Sequence, residues 1–390
     1  MIKNPILIII LLLAVEAIIL YAAQRRSLAK FFDIISPIFW IYFLPMLAST
    51  FGIIDSQAPI LGQITKYLLP GCLLLLLMNV DVPAMMKLGG RALAMFFIGG
   101  LGVILGSVVS FLLFRETVGN QFWGGFGALC ASWTGGSANM IAVKEALSVP
   151  DAVFAPMVVV DTVIPYLWMG ILIAGVRWQN IFDAWNKSDQ KIIEDLHRRV
   201  TQKKAEPRRF SPVRVAVLLV IAASGSLLSL AVAGLLPGAG HFFSTYAWTI
   251  ILATILGLAL SFTPVRRLES FGTSRLGSYL LYFILTAIGA RAALTDMSSA
   301  AILIAAGLVI VLVHAIFLLA GARLLKAPLF LVAAASQANI GGVASAPVVA
   351  AVYEPGLASV GLLLAILGNI VGTYLGMICA QLCRWLAGAA

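Results

Sequence analysis

The chain has 390 residues, 61% hydrophobic and 11% charged, with a formal net charge of +10. Soluble domains carry about 25% charged residues, so water is not the main solvent of this chain. Its excess of positive charge concentrates between Arg177 and Arg214 and at the ends of apolar runs, which is how positive-inside loops look and not how a nucleic-acid groove looks.

Apolar runs of roughly twenty residues recur throughout, each long enough to cross about 30 Å of hydrocarbon. The short alternating strands of a membrane barrel are absent. The expected fold is therefore all-α, a polytopic integral membrane protein of about 12 transmembrane helices. It is read as two repeated halves, each with one helix broken in mid-membrane.

In chain order, the first half reads as apolar segments near 5–23, 31–53, 62–80, 91–114, 121–147 and 152–176. Lys3 and the run from Pro5 to Ala23 mimic a signal peptide. Glu16 interrupts that run and Arg25 and Arg26 follow it, so it is taken as an uncleaved first helix. The polar interval 177–212 carries charges of both signs, with Pro207 and Pro212 near its end. It reads as a solvated cytoplasmic linker with an amphipathic helix around Trp185 to Val200. Further segments follow near 213–235, 243–263, 275–294, 298–322, 327–352 and 357–386. The domain reading is thus 1–176 as a first repeat, 177–212 as a basic linker and 213–390 as a second repeat.

The halves match at one common offset. Asp161 is matched by Asn369, Arg115 by Arg323, and Tyr166-Leu167-Trp168-Met169 by Tyr374-Leu375-Gly376-Met377. Loop charge strains the topology, because 82–91 and the linker both read as cytoplasmic with three segments between them. The linker's larger charge decides its own placement.

Two stretches carry the functional reading. One is Ser132, Thr134, Gly135, Gly136, Ser137 and Asn139; the other is Ser336, Gln337, Asn339, Gly341 and Gly342. Glycine in a helix interior costs about 1 kcal/mol against alanine. Unpaired backbone groups in lipid cost several kcal/mol each, so a break is tolerated only where protein or a watery cavity satisfies it. Glycine-broken segments at corresponding places in two halves point to a transporter's binding site. The blander reading is that small residues merely let helices pack closely.

Asp161 lies in mid-span within Val158-Val159-Val160-Asp161-Thr162-Val163. A carboxylate at the bilayer centre costs at least about 2.5 kcal/mol and marks ion or proton pathways. It is the candidate Na+ ligand or proton carrier, with Asn369 as its neutral counterpart. Lys144 and Glu145 are placed near a membrane face or vestibule, and Asn79 and Asp81 in a loop. Arg291 is either an anion ligand or an interfacial side chain that snorkels, and His314 is read as a hydrogen-bonded packing residue. Cys72, Cys130, Cys379 and Cys383 fall in apolar stretches and are taken as packing residues. No Walker loop, HExxH or nucleophile elbow is present, so neither an enzyme nor a bound cofactor is expected.

The stretch at 131–139, the Ala-Ser-Gln-Ala-Asn-Ile-Gly-Gly at 335–342 and the Gly-Asn-x-x-Gly-Thr-Tyr-Leu-Gly at 368–376 resemble the domain-of-unknown-function 819 membrane proteins over nearly the whole chain. That family is similar to the cation–proton antiporter and anion transporter superfamily, which includes bile-acid and glutamate sodium symporters. The resemblance implies a core domain with two crossing broken helices beside a panel domain, with elevator-like alternating access. It also implies an acidic residue on the helix after the first broken one, the place of Asp161. Antiporters of that kind often precede this acid with a second acid or an Asn, whereas here Val160 stands there.

The expected function is secondary active transport, coupled to Na+ or H+, of a small organic and anionic solute by alternating access. A cation/proton antiporter on the same scaffold and a non-transporting membrane protein are the alternatives. The expected partners are the lipid bilayer of the cell membrane, crossed many times, the small solute or ion, and a second copy in a homodimer. Nucleic acid is not expected.

Overall fold

A computed structural model of the chain describes residues 1–28, 31–32, 37–78, 80–199, 211–236, 245–292, 299–354 and 356–388. Asn79, Val200 and Pro207 lie outside the described residues. Among those described, the regular structure is helical throughout and no strand is formed.

The first half contains α1 (Pro5–Ala23), α2 (Pro37–Thr50), α3 (Pro59–Leu77), the single turn α4 (Val82–Met86), α5 (Gly90–Val118), α6 (Trp123–Gly135), α7 (Ser137–Ala146) and α8 (Asp151–Gly175). The polar interval forms α9 (Gln179–Asn186) and α10 (Lys191–Arg199). The second half contains α11 (Pro212–Leu235), α12 (Thr245–Ser261), α13 (Thr273–Arg291), α14 (Ala300–Leu325), α15 (Leu329–Ile340), α16 (Gly342–Tyr353) and α17 (Ala358–Leu386). Seven helical stretches are long and apolar enough to cross a membrane, or eight if α12 and the 3-10 segment Pro264–Phe271, bent by 96°, count as one. These support a polytopic membrane protein.

Local chemistry sets several of the ends. Proline opens α1, α3 and α11, where its missing N–H is no loss. The Asn4 side chain caps α1 by accepting from the N–H groups of Ile6 and Leu7. Asp81 caps α4 through Ala84. The amphipathic helix expected around Trp185–Val200 is instead two helices, because Lys187 adopts φ 53° and ends α9.

The chain divides into two compact units. The first comprises Met1–Val80, Glu145–Thr162 and Ala205–Ala300; the second comprises Asp81–Lys144, Val163–Lys204 and Ala301–Ala390. Each unit draws on both halves of the sequence, and α8 passes from one to the other after Thr162.

In the first unit α3 is the hub, packed by α11, α12 and α13. Leu74, Leu75 and Met78 form a buried cluster with Leu218, Ala222 and Leu276. The Cys72 thiol donates to the carbonyl of Gly277 at 3.3 Å, and the Ser226 hydroxyl to that of Tyr67 at 2.6 Å. Arg291, at the end of α13, lies 3.7 Å from the Glu145 carboxylate and 3.2 Å from that of Asp151. Its charge is therefore answered within the unit, which neither reading of Arg291 from the sequence had foreseen. In the second unit α17 is the hub, packed by α6, α16, α15 and α5.

Candidate functional site

Both glycine pairs interrupt helices, and both breaks lie in the second unit. At the first, Gly136 has φ 86° and ψ 173°, a conformation that favours glycine. Its N–H closes α6 by donating to the Ser132 carbonyl, and α7 starts at the next residue. At the second, the Gly341 N–H closes α15 on the Gln337 carbonyl at 2.8 Å, and Gly342 at φ 66° opens α16. Each break thus pairs the carbonyl end of one half-helix with the N–H end of the next. The first carries partial negative charge and the second partial positive charge.

The first break is tied to α17. Asn139, buried on α7, donates to the Gly135 carbonyl and accepts from the N–H of Thr373 at 3.0 Å and from its hydroxyl. The Thr134 hydroxyl donates back to the Cys130 carbonyl at 2.8 Å. Around these bonds α6 and α17 meet along a seam of small residues. A Cβ on Gly372 would lie 2.6 Å from the Gly135 Cα, and one on Gly376 would lie 2.4 Å from the Ala131 Cβ. This is small-residue packing of the kind that drives helix pairing in lipid. Asn369 also faces this break, its Oδ1 3.5 Å from the point a Cβ on Gly136 would occupy. Ser132 is buried, while Ser137 and Asn369 are half-buried.

The second break is arranged differently. Gln337 reaches across it, donating through Nε2 to the Ser345 hydroxyl at 2.8 Å. Asn339 donates through Nδ2 to the carbonyls of Phe96 at 3.1 Å and Ala335 at 2.9 Å. Both amides are fully buried, and Gln337 Oε1 and Asn339 Oδ1 have no hydrogen-bond partner among the described residues. A buried polar atom left without a partner costs about 1–3 kcal/mol, so two within one turn of one half-helix call for a donor or a cation.

Behind this break runs a defined polar chain. His314 Nδ1 lies 2.9 Å from the Gly99 carbonyl, which can only accept, so that nitrogen carries the proton. His314 Nε2 then accepts from the Ser336 hydroxyl at 2.9 Å, and Ser336 Oγ accepts from Trp168 Nε1 at 2.8 Å. His314 is thus a satisfied packing residue that fixes α15 to α5, α8 and α14.

Of the residues singled out from the sequence, Ser132, Thr134, Gly135, Gly136, Ser137, Asn139, Ser336, Gln337, Asn339, Gly341, Gly342 and Asn369 all fall in the second unit. Asp161 is half-buried in the middle of α8, in the first unit. Sequence reasoning quoted 368–376 for its resemblance but gave Thr373 and the seam it belongs to no role. The four-residue spacing of Gly368, Gly372 and Gly376 was the available signal.

The chain is similar to the uncharacterized membrane protein YjcL of Bacillus subtilis (strain 168). The two are 24% identical over 349 residues, which is 85% of this chain and 86% of that one. A family model described as protein of unknown function (DUF819) matches residues 10–386. With helices of membrane-crossing length along the same stretch, this chain belongs to that family of membrane proteins.

Proposed function

We propose that the chain is a secondary active transporter, coupled to Na+ or H+, that moves a small organic anion by alternating access. The observation that carries this reading is the second break, where two buried amide oxygens lack partners beside the carbonyl end of α15 and the N–H end of α16. Acceptor oxygens with helix carbonyls suit a dehydrated cation, and half-helix N–H ends suit an anion. Asp161, half-buried in the middle of α8 in the first unit, is the proposed proton carrier or Na+ ligand of the coupling step. The division of each sequence half between the two units supports a duplicated architecture. The proposal puts the basic linker on the cytoplasmic side of the cell membrane and the protein in a homodimer.

The same oxygens favour a second reading, a cation/proton antiporter, because everything unpartnered at the second break is an acceptor. A thermal-stability screen across Na+, Li+, pH and small carboxylates tests the site, since a ligand bound only by the folded state raises stability with the logarithm of its concentration. A shift with Na+ or an anion that disappears in Asp161→Asn is expected; no shift with any of them sinks the transporter reading. Solute-stimulated currents in proteoliposomes then mark the symporter, and pH-driven cation flux without solute marks the antiporter.

A further inference from the structure

Helix α9 turns Gln179, Asp183 and Asn186 inward and Ile181 and Trp185 outward. Asp183 Oδ1 accepts the N–H of Leu329, the first residue of α15, at 2.8 Å. Asn186 is buried and donates through Nδ2 to the carbonyls of Ala322 at 3.2 Å and Ala327 at 2.9 Å. Gln179 Nε2 donates to Glu354 at 3.1 Å. On the opposite face Trp178, Ile181 and Trp185 are 52%, 68% and 63% exposed. Spaced three and four residues apart, they form one stripe that runs from the 3-10 segment Val176–Trp178 into α9. A helix bathed in water would have this arrangement reversed.

Two arginines complete the face. The Arg177 guanidinium stands 4.6 Å from the centroid of the Trp178 ring and the Arg323 guanidinium 5.0 Å from that of Trp185, where it also donates to the Trp185 carbonyl at 3.1 Å. Lys187 is exposed at the end of the helix. No carboxylate is exposed between Arg177 and Lys187, since Asp183 is engaged inward. The position is equally telling. α9 follows directly from α8, which exposes Leu167 and Ile171, and packs against the Ala322–Ala327 end of α14. α8 runs on into α9 as one 36-residue stretch of membrane-crossing composition, Asp151–Asn186. At 1.5 Å per residue that is about 54 Å, against about 30 Å of hydrocarbon, so α9 sits at its interfacial end, beside the end of α14.

We infer that α9 lies at the membrane interface and binds anionic phospholipid headgroups. Its tryptophans and Ile181 rest at the acyl boundary, and Arg177, Lys187 and Arg323 hold the phosphates. Indole rings with arginine at one level suit that layer, and a basic surface beside a span is drawn to anionic lipid. Because the inward face of α9 clamps the α14–α15 turn and caps Leu329, lipid seated on the outside steadies the start of the second broken helix. This holds whatever the chain transports.

The full-length protein carrying Ile181→Cys with a nitroxide label tests the placement, the native cysteines all being buried. In phosphatidylcholine bilayers containing phosphatidylglycerol, collisions with oxygen are expected to exceed those with an aqueous nickel chelate. The opposite order overturns the interfacial assignment. For the headgroup, thermal unfolding in detergent is followed with added phosphatidylglycerol, phosphatidylcholine or inorganic phosphate. Phosphatidylglycerol is expected to raise Tm by several degrees above phosphatidylcholine and phosphate to do nothing, with that advantage lost in Arg177→Gln/Lys187→Gln. An advantage that survives in the double variant, or that inorganic phosphate reproduces, overturns the lipid assignment.

Discussion

The two breaks share a sequence device, a glycine pair among small polar residues, yet their surroundings use it in opposite ways. At the first, the glycines serve contact. Gly135 has no side chain because the backbone of α17 occupies that space, and the nearby amide of Asn139 has both of its ends engaged. At the second, the amides of Gln337 and Asn339 each engage only the nitrogen end. Close packing and an open polar valence, posed as rival explanations of one motif, are therefore divided between its two copies. The first break anchors α17, and at the second two amide oxygens stay unpartnered among the described residues.

Substitutions can break or sharpen that contrast. The largest effect is expected at the seam. Gly372→Leu would drive a side chain into the Gly135 backbone, where nothing can give, and overpacking of even movable neighbours costs about 1–3 kcal/mol. No monodisperse folded protein is expected in size-exclusion chromatography. Next comes Asn139→Ala, which removes bonds to Gly135 and to both groups of Thr373. About 3 kcal/mol of lost stability is expected, read as a Tm drop of the same size with and without Na+. Gln337→Met loses only the bond to Ser345 and also removes an unpartnered oxygen, so a cost near 1 kcal/mol is expected. It should nevertheless abolish any Na+-dependent rise in Tm. A large loss in Gln337→Met with the Na+ response intact would reverse the roles given to the two breaks.

The smallest effect is expected away from both. Arg91 donates to Asp189 at 2.6 Å on an exposed surface and holds its carboxyl below the usual carboxylate range. A carboxyl lowered in the folded state contributes stability above its ordinary pKa and loses it as pH falls through the lowered value. In Arg91→Gln the melt should be nearly unchanged at neutral pH, with the difference from wild type vanishing in acid. Exposed pairs of this kind contribute little.

Much of the architecture was legible because lipid imposes a long, unambiguous apolar run on every span. The first segment was bounded as 5–23 and α1 runs from Pro5 to Ala23. Both interruptions were readable too, since Gly136 and Gly342 adopt positive φ where glycine stands. What the chain order concealed was partnership. Arg291 stands 140 residues after Asp151 in the chain, and nothing in the 368–376 motif marks Thr373 as the partner of Asn139. The inward turn of Asp183 and Asn186 in α9 was equally hidden, because composition records that a helix has two faces and not which face meets lipid.

Asn139 and Thr373 are 234 residues apart, and that distance has a consequence in time. A ribosome adding roughly 5–20 residues per second needs on the order of 10–50 s between them. Over that interval the 13-residue half-helix α6 has been made while α17, which emerges after α1–α16, has not. The anchoring break must be sheltered by the insertion machinery until the chain is nearly finished, so a stop codon ahead of Ala358 would leave a stranded, degradable intermediate and not a smaller working protein.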